Sequence, residues 1–364
     1  MMEFDYQDRL NRARRKMSDL GVDVLLASLG SDLPYLTGYE AMPLERLTMA
    51  VIPVEDDAVL VVPELEAPRV DQQPGIFTVQ PWGETEDPIA IVAGLAAGAG
   101  TAMIGDHTWA VFLLALQRAL PRTTFVSARP VTEALRIIKE PAEIKFLRRA
   151  GASADRVAGL LASHQFSGKA ESQISREVGA LLEANGTDVA TFAIVASGPN
   201  GASPHHEPGD RIVSAGDAIV VDFGGTVGGY GSDTTRMFHV GEPAARYREV
   251  HDIVHAAQKA GVAAVRPGVT AESIDAAARQ IIVDAGYGDY FIHRTGHGIG
   301  LDGHEDPYII EGNTQRIAEG MAFSIEPGIY LPGEFGVRIE DVVVCTSTNV
   351  ERLNQSPRSV AIVD

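Results

Sequence analysis

The chain is short of cysteine, of positive charge and of long uncharged runs, and each shortage excludes something. One cysteine, Cys345, allows no internal disulfide. Within Val342-Val343-Val344-Cys345 it reads as a small buried apolar residue in a reducing compartment. Lysine and arginine total 30 against 49 aspartates and glutamates, a formal net charge of -19. Such acidity argues against nucleic acid or an anionic membrane as a partner and favours solubility. The N-terminal Met1-Met2-Glu3-Phe4-Asp5-Tyr6 is acidic where a secretory leader would be basic, and no apolar run follows. A cytoplasmic protein is therefore expected. The longest uncharged stretch, 88–105, could span a bilayer by length alone, but it is rich in alanine and glycine. It reads better as a surface helix over 89–97, a glycine-rich turn and a strand over 101–104. Low-complexity segments and short repeats are also lacking.

What is present is an ordinary globular composition: 364 residues, 45% hydrophobic and 22% charged, enough for two domains with a substantial core. The first third alternates. Leu10, Ala13, Met17 and Leu20 have helical spacing over 5–20, and Gly21 is placed to stop that helix. Strands are expected at 22–27, 47–54, 58–62, 76–80, 103–105 and 124–127, with helices at 89–97 and 109–120. This part offers no cluster of catalytic groups; His107, Trp82 and Trp109 read as structural or surface residues. A seam follows at Arg136-Ile137-Ile138-Lys139-Glu140-Pro141, where Pro141 suits the first turn of a new helix. The spacing predicts helices at 142–164, 171–183, 244–264 and 271–284. Strands are expected at 191–196, 218–222, 234–240, 321–326 and 337–345. Elements in blocks predict an α+β domain at 138–364 behind a smaller α/β domain at 1–137.

Five residues in the second part sit in contexts that packing does not explain. Asp222 ends the run Ala218-Ile219-Val220-Val221 before Phe223-Gly224-Gly225, and Asp233 lies in Gly231-Ser232-Asp233-Thr234-Thr235-Arg236. His297 stands between Gly296 and Gly298, glycines that would let an ion or substrate approach closely. Glu326 closes Met321-Ala322-Phe323-Ser324-Ile325, with Pro327 biasing it toward extended backbone. Glu340 lies in Gly336-Val337-Arg338-Ile339-Glu340-Asp341. Two like charges at ~4 Å in a partly buried site repel by roughly 4 kcal/mol, so four converging carboxylates require counter-charge. Two divalent cations close the sum with His297 neutral. An oxygen-rich set with one imidazole suits Mn²⁺, with Co²⁺, Zn²⁺ and Fe²⁺ as alternatives.

In order, type and surrounding motif these five residues resemble the dinuclear metal ligands of the pita-bread metallopeptidases, the family of methionine aminopeptidase, aminopeptidase P and prolidase. The leading domain, the seam and the length are similar to the prolidase and aminopeptidase P branch. The resemblance implies a creatinase-like N-terminal α/β domain, a pseudo-twofold α+β pita-bread catalytic domain and a homodimer. It also implies that Asp233 and Glu340 bridge two metals, Asp222 chelates one, and His297 and Glu326 complete the other. A hydroxide shared by the ions is then the nucleophile, and Glu326 takes the water's proton. His205, in Ser203-Pro204-His205-His206-Glu207-Pro208, takes the position that contacts the tetrahedral intermediate or the scissile amide. Only geometry can separate it from His206. His304 would contact the substrate carbonyl, His293 would line the proline side of the pocket, and Arg338 would pair with a ligand carboxylate. His239, His251 and His255 match no motif and are expected at strand or helix surfaces.

The activity implied is metal-dependent hydrolysis of an Xaa-Pro bond in a small proline-containing peptide. An Xaa-Pro dipeptidase is preferred on the short N-terminal domain, with an Xaa-Pro aminopeptidase acting on longer peptides as the alternative. A pita-bread binding module without metal is the reading from another class; it should have lost ligand carboxylates, and all five ligands are here. A small amide other than a peptide is the third.

Overall fold

The computed structural model describes residues 4–71, 73 and 75–364, and the chain divides into two compact units between Arg136 and Ile137. In the first unit, α1 (Tyr6–Asp19) starts at Asp5, whose side chain accepts the Asp8 N–H, and is followed by Gly21 at φ 65°. Next come β1 (Val24–Ala27), α2 (Asp32–Thr37), β2 (Met49–Pro53), β3 (Ala58–Pro63) and β4 (Phe77–Trp82). Then α3 (Pro88–Leu95), β5 (Thr101–Ile104), α4 (Ala110–Ala119), β6 (Thr124–Ser127) and α5 (Arg129–Arg136) complete it. The six strands form one mixed sheet in the order β4-β3-β2-β1-β5-β6. Neither α2 nor α5 is anticipated from spacing: each is under three turns and too short to show a repeat. Trp82 is buried, its Nε1 donating to Leu47 O, while Trp109 is partly exposed ahead of α4.

The second unit opens with α6 (Pro141–Leu161), which carries a capping box between Glu140 and Glu143, and α7 (Glu171–Ala184). A first sheet follows: β7 (Val189–Ser197), β8 (Ala218–Val227), β9 (Tyr230–Gly231) and β10 (Thr234–Val240). The helices α8 (Ala245–Ala264) and α9 (Ala271–Asp284) precede β11 (Gly296–Gly298), β12 (Glu305–Ile309) and β13 (Ala322–Ile325). The chain ends with β14 (Gly328–Leu331), β15 (Phe335–Arg338), β16 (Asp341–Cys345), β17 (Val350–Arg352) and β18 (Ala361–Val363). Two sheets of five strands run β18-β10-β8-β7, with β9 on β8, and β12-β11-β13-β16-β17; β14 and β15 form a separate ribbon.

Two halves are built alike. Gly168 N donates to Val213 O and Glu171 N to Arg211 O; Gly268 N donates to Ile317 O and Ala271 N to Gln315 O. Isolated bridges Ala170–Ile212 and Thr270–Arg316 mark the same junction, where a returning loop pairs with the start of the second helix. Strand β8 is buried on both faces. Its Ile219, Val221 and Phe223 join a core with α6 and α7, while Ala218 and Val220 join one with α8, α9, β14 and β15. Strand periodicity puts Asp222 on the latter face, between the two halves.

Several expectations are corrected. Asp222 does not end a strand; β8 runs on through the glycines to Val227 because β7 and β9 continue its ladder. The expected strand 337–345 is two, β15 in the ribbon and β16 in the second sheet, and the chain changes sheet at Ile339-Glu340. His239 and His251 are buried rather than at a surface, and His255 is half-buried. Cys345 is buried and free. Among the described residues no helix is long and apolar enough to cross a membrane.

Candidate metal centre

Backbone closeness accounts for the glycines around the site. A Cβ on Gly224 would lie 2.0 Å from Ser232 O, and one on Gly296 would lie 1.9 Å from Ser324 O. One on Gly298 would lie 2.2 Å from Asp306 O, which corrects the idea that Gly296 and Gly298 make room for an ion. They let β11 sit tightly between β12 and β13 and so fix His297 from both sides.

Strands β8 and β10 pair antiparallel with Asp222 opposite Thr235, which brings Asp233, just before β10, beside Asp222. From the other half, Glu340 comes from the sheet change, Glu326 from just past β13 and His297 from β11. Oxygens of Asp222, Asp233 and Glu340 lie within 4.8 Å of one another, as do donor atoms of His297, Glu326 and Glu340. His297 Nε2 is 3.5 Å from Asp233 Oδ2 and 3.4 Å from Glu326 Oε1. All five predicted residues therefore meet at one point. They line a cavity of about 650 Å³ that His205, His293 and His304 also line.

The protein balances these charges only in part, through Arg338 paired with Asp222. Burial, then the carboxylates of Asp222 and Glu326, pushes the Asp233 carboxyl well above its usual range. Burial, then Asp233, Glu326 and Asp222, does the same to Glu340. Asp222 Oδ1 and Glu340 Oε1 are buried and accept no hydrogen bond from the described residues. Leaving such acceptors unmade costs about 1–3 kcal/mol each, more when charged. Their second oxygens are held: Arg338 Nη2 donates to Asp222 Oδ2 at 2.6 Å and Thr235 Oγ1 to Glu340 Oε2 at 2.8 Å. Each carboxylate thus keeps one oxygen fixed and one free, the arrangement that a metal ligand needs. His297 Nδ1 donates to Gly298 O at 3.0 Å, which turns Nε2 toward the carboxylates, where it can ligate an ion. The donor set fits hard divalent cations.

Around this core the sequence reading missed partners that carry no motif. Tyr330, on β14, accepts from Arg338 Nη1 at 2.9 Å and donates to His293 Nε2 at 2.8 Å; burial pushes its hydroxyl up to about 12. His293 donates from Nδ1 to Arg294 O, so both its ring nitrogens are engaged. His304 Nδ1 accepts from Arg294 Nη2 at 3.2 Å; burial, then His297 and Arg294, pushes its pKa down to about 4. It is neutral at pH 7 with its proton on Nε2. Arg294 lies over the Tyr308 ring, 4.4 Å from its centroid, and has no carboxylate partner among the described residues. Phe192, Ile194, Ile299 and Leu301 give the cavity an apolar wall. His205 is exposed to the cavity, whereas the neighbouring His206 turns away to Glu171, with Nε2 2.8 Å from Oε2. His239, His251 and His255 do not line it.

Residues 145–347 match the model of metallopeptidase family M24, and residues 9–138 match the creatinase/prolidase N-terminal domain. The chain is 41% identical to dipeptidase PepE of Mycobacterium ulcerans, whose crystal structure superposes with a TM-score of 0.92 over 99% of each chain. A prolidase from Thermococcus sibiricus is 36% identical, with a TM-score of 0.94 over 99% of this chain and 100% of that one. An Xaa-Pro dipeptidase of Lactobacillus helveticus is 32% identical across 97% of this chain and 98% of its own length.

Proposed function

We propose that this chain, which belongs to metallopeptidase family M24, is an Xaa-Pro dipeptidase holding two divalent ions, preferably Mn²⁺. The ligands in this reading are Asp222, Asp233, His297, Glu326 and Glu340, within a catalytic domain at 138–364 that follows a creatinase-like domain at 1–137. The observation that carries the metal assignment is the pair of buried, partnerless oxygens, Asp222 Oδ1 and Glu340 Oε1, among carboxylates pushed toward protonation. When bound, the ions supply an acidified water and a Lewis acid at the peptide carbonyl.

The protein's own groups do the rest. Glu326, held by Ser324 Oγ at 3.1 Å, takes the proton of the attacking water and passes it to the proline nitrogen as the C–N bond breaks. Neutral His304 donates its Nε2 proton to the carbonyl oxygen as negative charge develops there. His205 contacts the tetrahedral centre from the opposite loop, and the His293 ring packs on the proline side. Arg338 and Tyr330 act by orienting Asp222 and His293. Arg294, with no carboxylate partner among the described residues, suits the free carboxylate of a dipeptide, and this supports a dipeptide substrate over a longer one. We place the enzyme in the cytoplasm as a homodimer.

The test is a rate comparison after chelation and Mn²⁺ reconstitution, using Xaa-Pro dipeptides, their C-terminal amides and Xaa-Pro tripeptides. Cleavage restored by Mn²⁺ and confined to the free dipeptide is expected. Full activity after exhaustive chelation would overturn the metal reading, and faster turnover of tripeptides would select an aminopeptidase.

A further inference from the structure

We infer that Glu171 is a positioning residue for His205, acting through the loop 198–209 with His206 as its clasp. The inference rests on the reading that His205 contacts substrate. Glu171, at the start of α7, is fully buried and does not line the cavity. Its Oε1 accepts from Ser197 N at 2.7 Å, Ser197 Oγ at 2.6 Å and Asn200 Nδ2 at 3.1 Å. Its Oε2 accepts from Asn200 Nδ2 at 3.1 Å, His206 Nε2 at 2.8 Å and Gly209 N at 3.5 Å. Burial alone would raise this carboxyl; the hydrogen bonds from Ser197, His206 and Asn200 outweigh it and hold the group below its usual value.

Every one of these donors lies at the ends or in the body of a single loop, and the middle of that loop, Pro204-His205, is what reaches the cavity. Pro204 O accepts from Arg338 Nη1 at 3.3 Å, so the same loop is tied at its tip to the guanidinium that holds Asp222. Of two adjacent histidines, one faces substrate and the other faces the buried carboxylate. That division fixes the rotation of the loop about its own axis.

The second half of the unit separates a positioning role from a merely structural one. At the equivalent junction the buried residue is Ala271, and the same backbone pairing forms there without a charge. The fold therefore does not need a carboxylate at this place. A buried carboxylate with six hydrogen-bond contacts stands at this junction in the first half, whose loop carries His205, and not in the second, whose loop carries His304. Charge-assisted bonds of this kind fix geometry more tightly than neutral ones.

The experiment compares wild type, Glu171→Gln and His206→Ala, each with and without His205→Ala, measuring kcat, KM, metal content and amide hydrogen exchange. Glu171→Gln should lower kcat by about 10²-fold and His206→Ala by about 10-fold, with KM and metal content near wild type. In the His205→Ala background neither change should lower kcat further, because residues acting through one group are not additive. Exchange at 198–209 should accelerate in Glu171→Gln while the rest of the unit is unchanged. Accelerated exchange with unaltered kcat, or full additivity with His205→Ala, would overturn the inference. His206→Ala carries the test if Glu171→Gln does not fold. A wild type inactive on Xaa-Pro peptides would refute the substrate assignment instead, and the coupling would then be read on whichever peptide is cleaved.

Discussion

The first half of the second unit supplies two aspartates from one tight antiparallel pair, with Asp222 on β8 and Asp233 before β10. The second half supplies a histidine and two glutamates from three separate places: inside β11, past β13 and at the switch from β15 to β16. The supporting junctions of the two halves have the same backbone bonds, so the scaffold is shared and the chemistry is not. A hairpin can bring two short carboxylates together by register alone. Longer glutamates and a histidine can converge from different strands because their reach makes up for the distance. Strand pairing fixes one side of the centre, and the meeting of the two halves fixes the other.

The largest effect is expected where backbones touch. Gly224→Ala in the first half and Gly296→Ala in the second each push a Cβ to within 2.0 Å or less of a carbonyl oxygen. Each should cost more than about 4 kcal/mol, with loss of the cooperative thermal transition. A variant that melts like wild type would show that its half has slack there, and that the two halves are not equally constrained.

Next come the carboxylates themselves. Asp233→Asn and Glu340→Gln, one from each half, should lower kcat/KM by at least about 10³-fold, measured with Mn²⁺ in excess. In the chelated protein both should stabilise. The folded carboxyls lie above their unfolded values of about 3.9 and 4.3, so the folded state holds more protons. Their contribution is whole below about pH 4 and is lost as pH rises through the raised values. The Tm of chelated protein should therefore decline from acid toward neutral pH, and either substitution should flatten that decline. A slope unchanged in both variants would mean that the charges are balanced elsewhere.

The smallest effect concerns the tie between the halves. Arg338, from β15, reaches Asp222 on β8 and, through Nε at 3.0 Å, Thr235 Oγ1 on β10. Lysine has no fork with which to hold both, so Arg338→Lys should weaken metal binding by about 10–100-fold, read by titration of the chelated protein. Equal affinity in the two proteins would show that the first half orients its aspartates unaided.

Much of this was legible beforehand where a residue's type conflicts with its surroundings. Carboxylates following apolar runs at Asp222 and Glu326, and a histidine between glycines at His297, violate local preference and so mark the site. Long helices such as α8 and α9 showed their period over several turns. Tyr330, Thr235, Arg294 and Glu171 gave no signal, because each is ordinary in its local context and acquires a role only through partners far along the chain. The break at Ile339-Glu340 was hidden for a related reason: apolar runs on either side of it read as one strand, and only pairing shows that they belong to different sheets.

Composition, periodicity and charge are local properties, and from them alone come the two-part organisation, the acidic balance, the types of the proposed ligands and the expectation that they take cations. Long-range packing sets which oxygen of each carboxylate is free, which of two adjacent histidines faces the cavity and why the glycines are there. Those depend on distances between segments about 100 residues apart, as between Asp222 and Arg338, and only packing brings such segments within reach of a hydrogen bond.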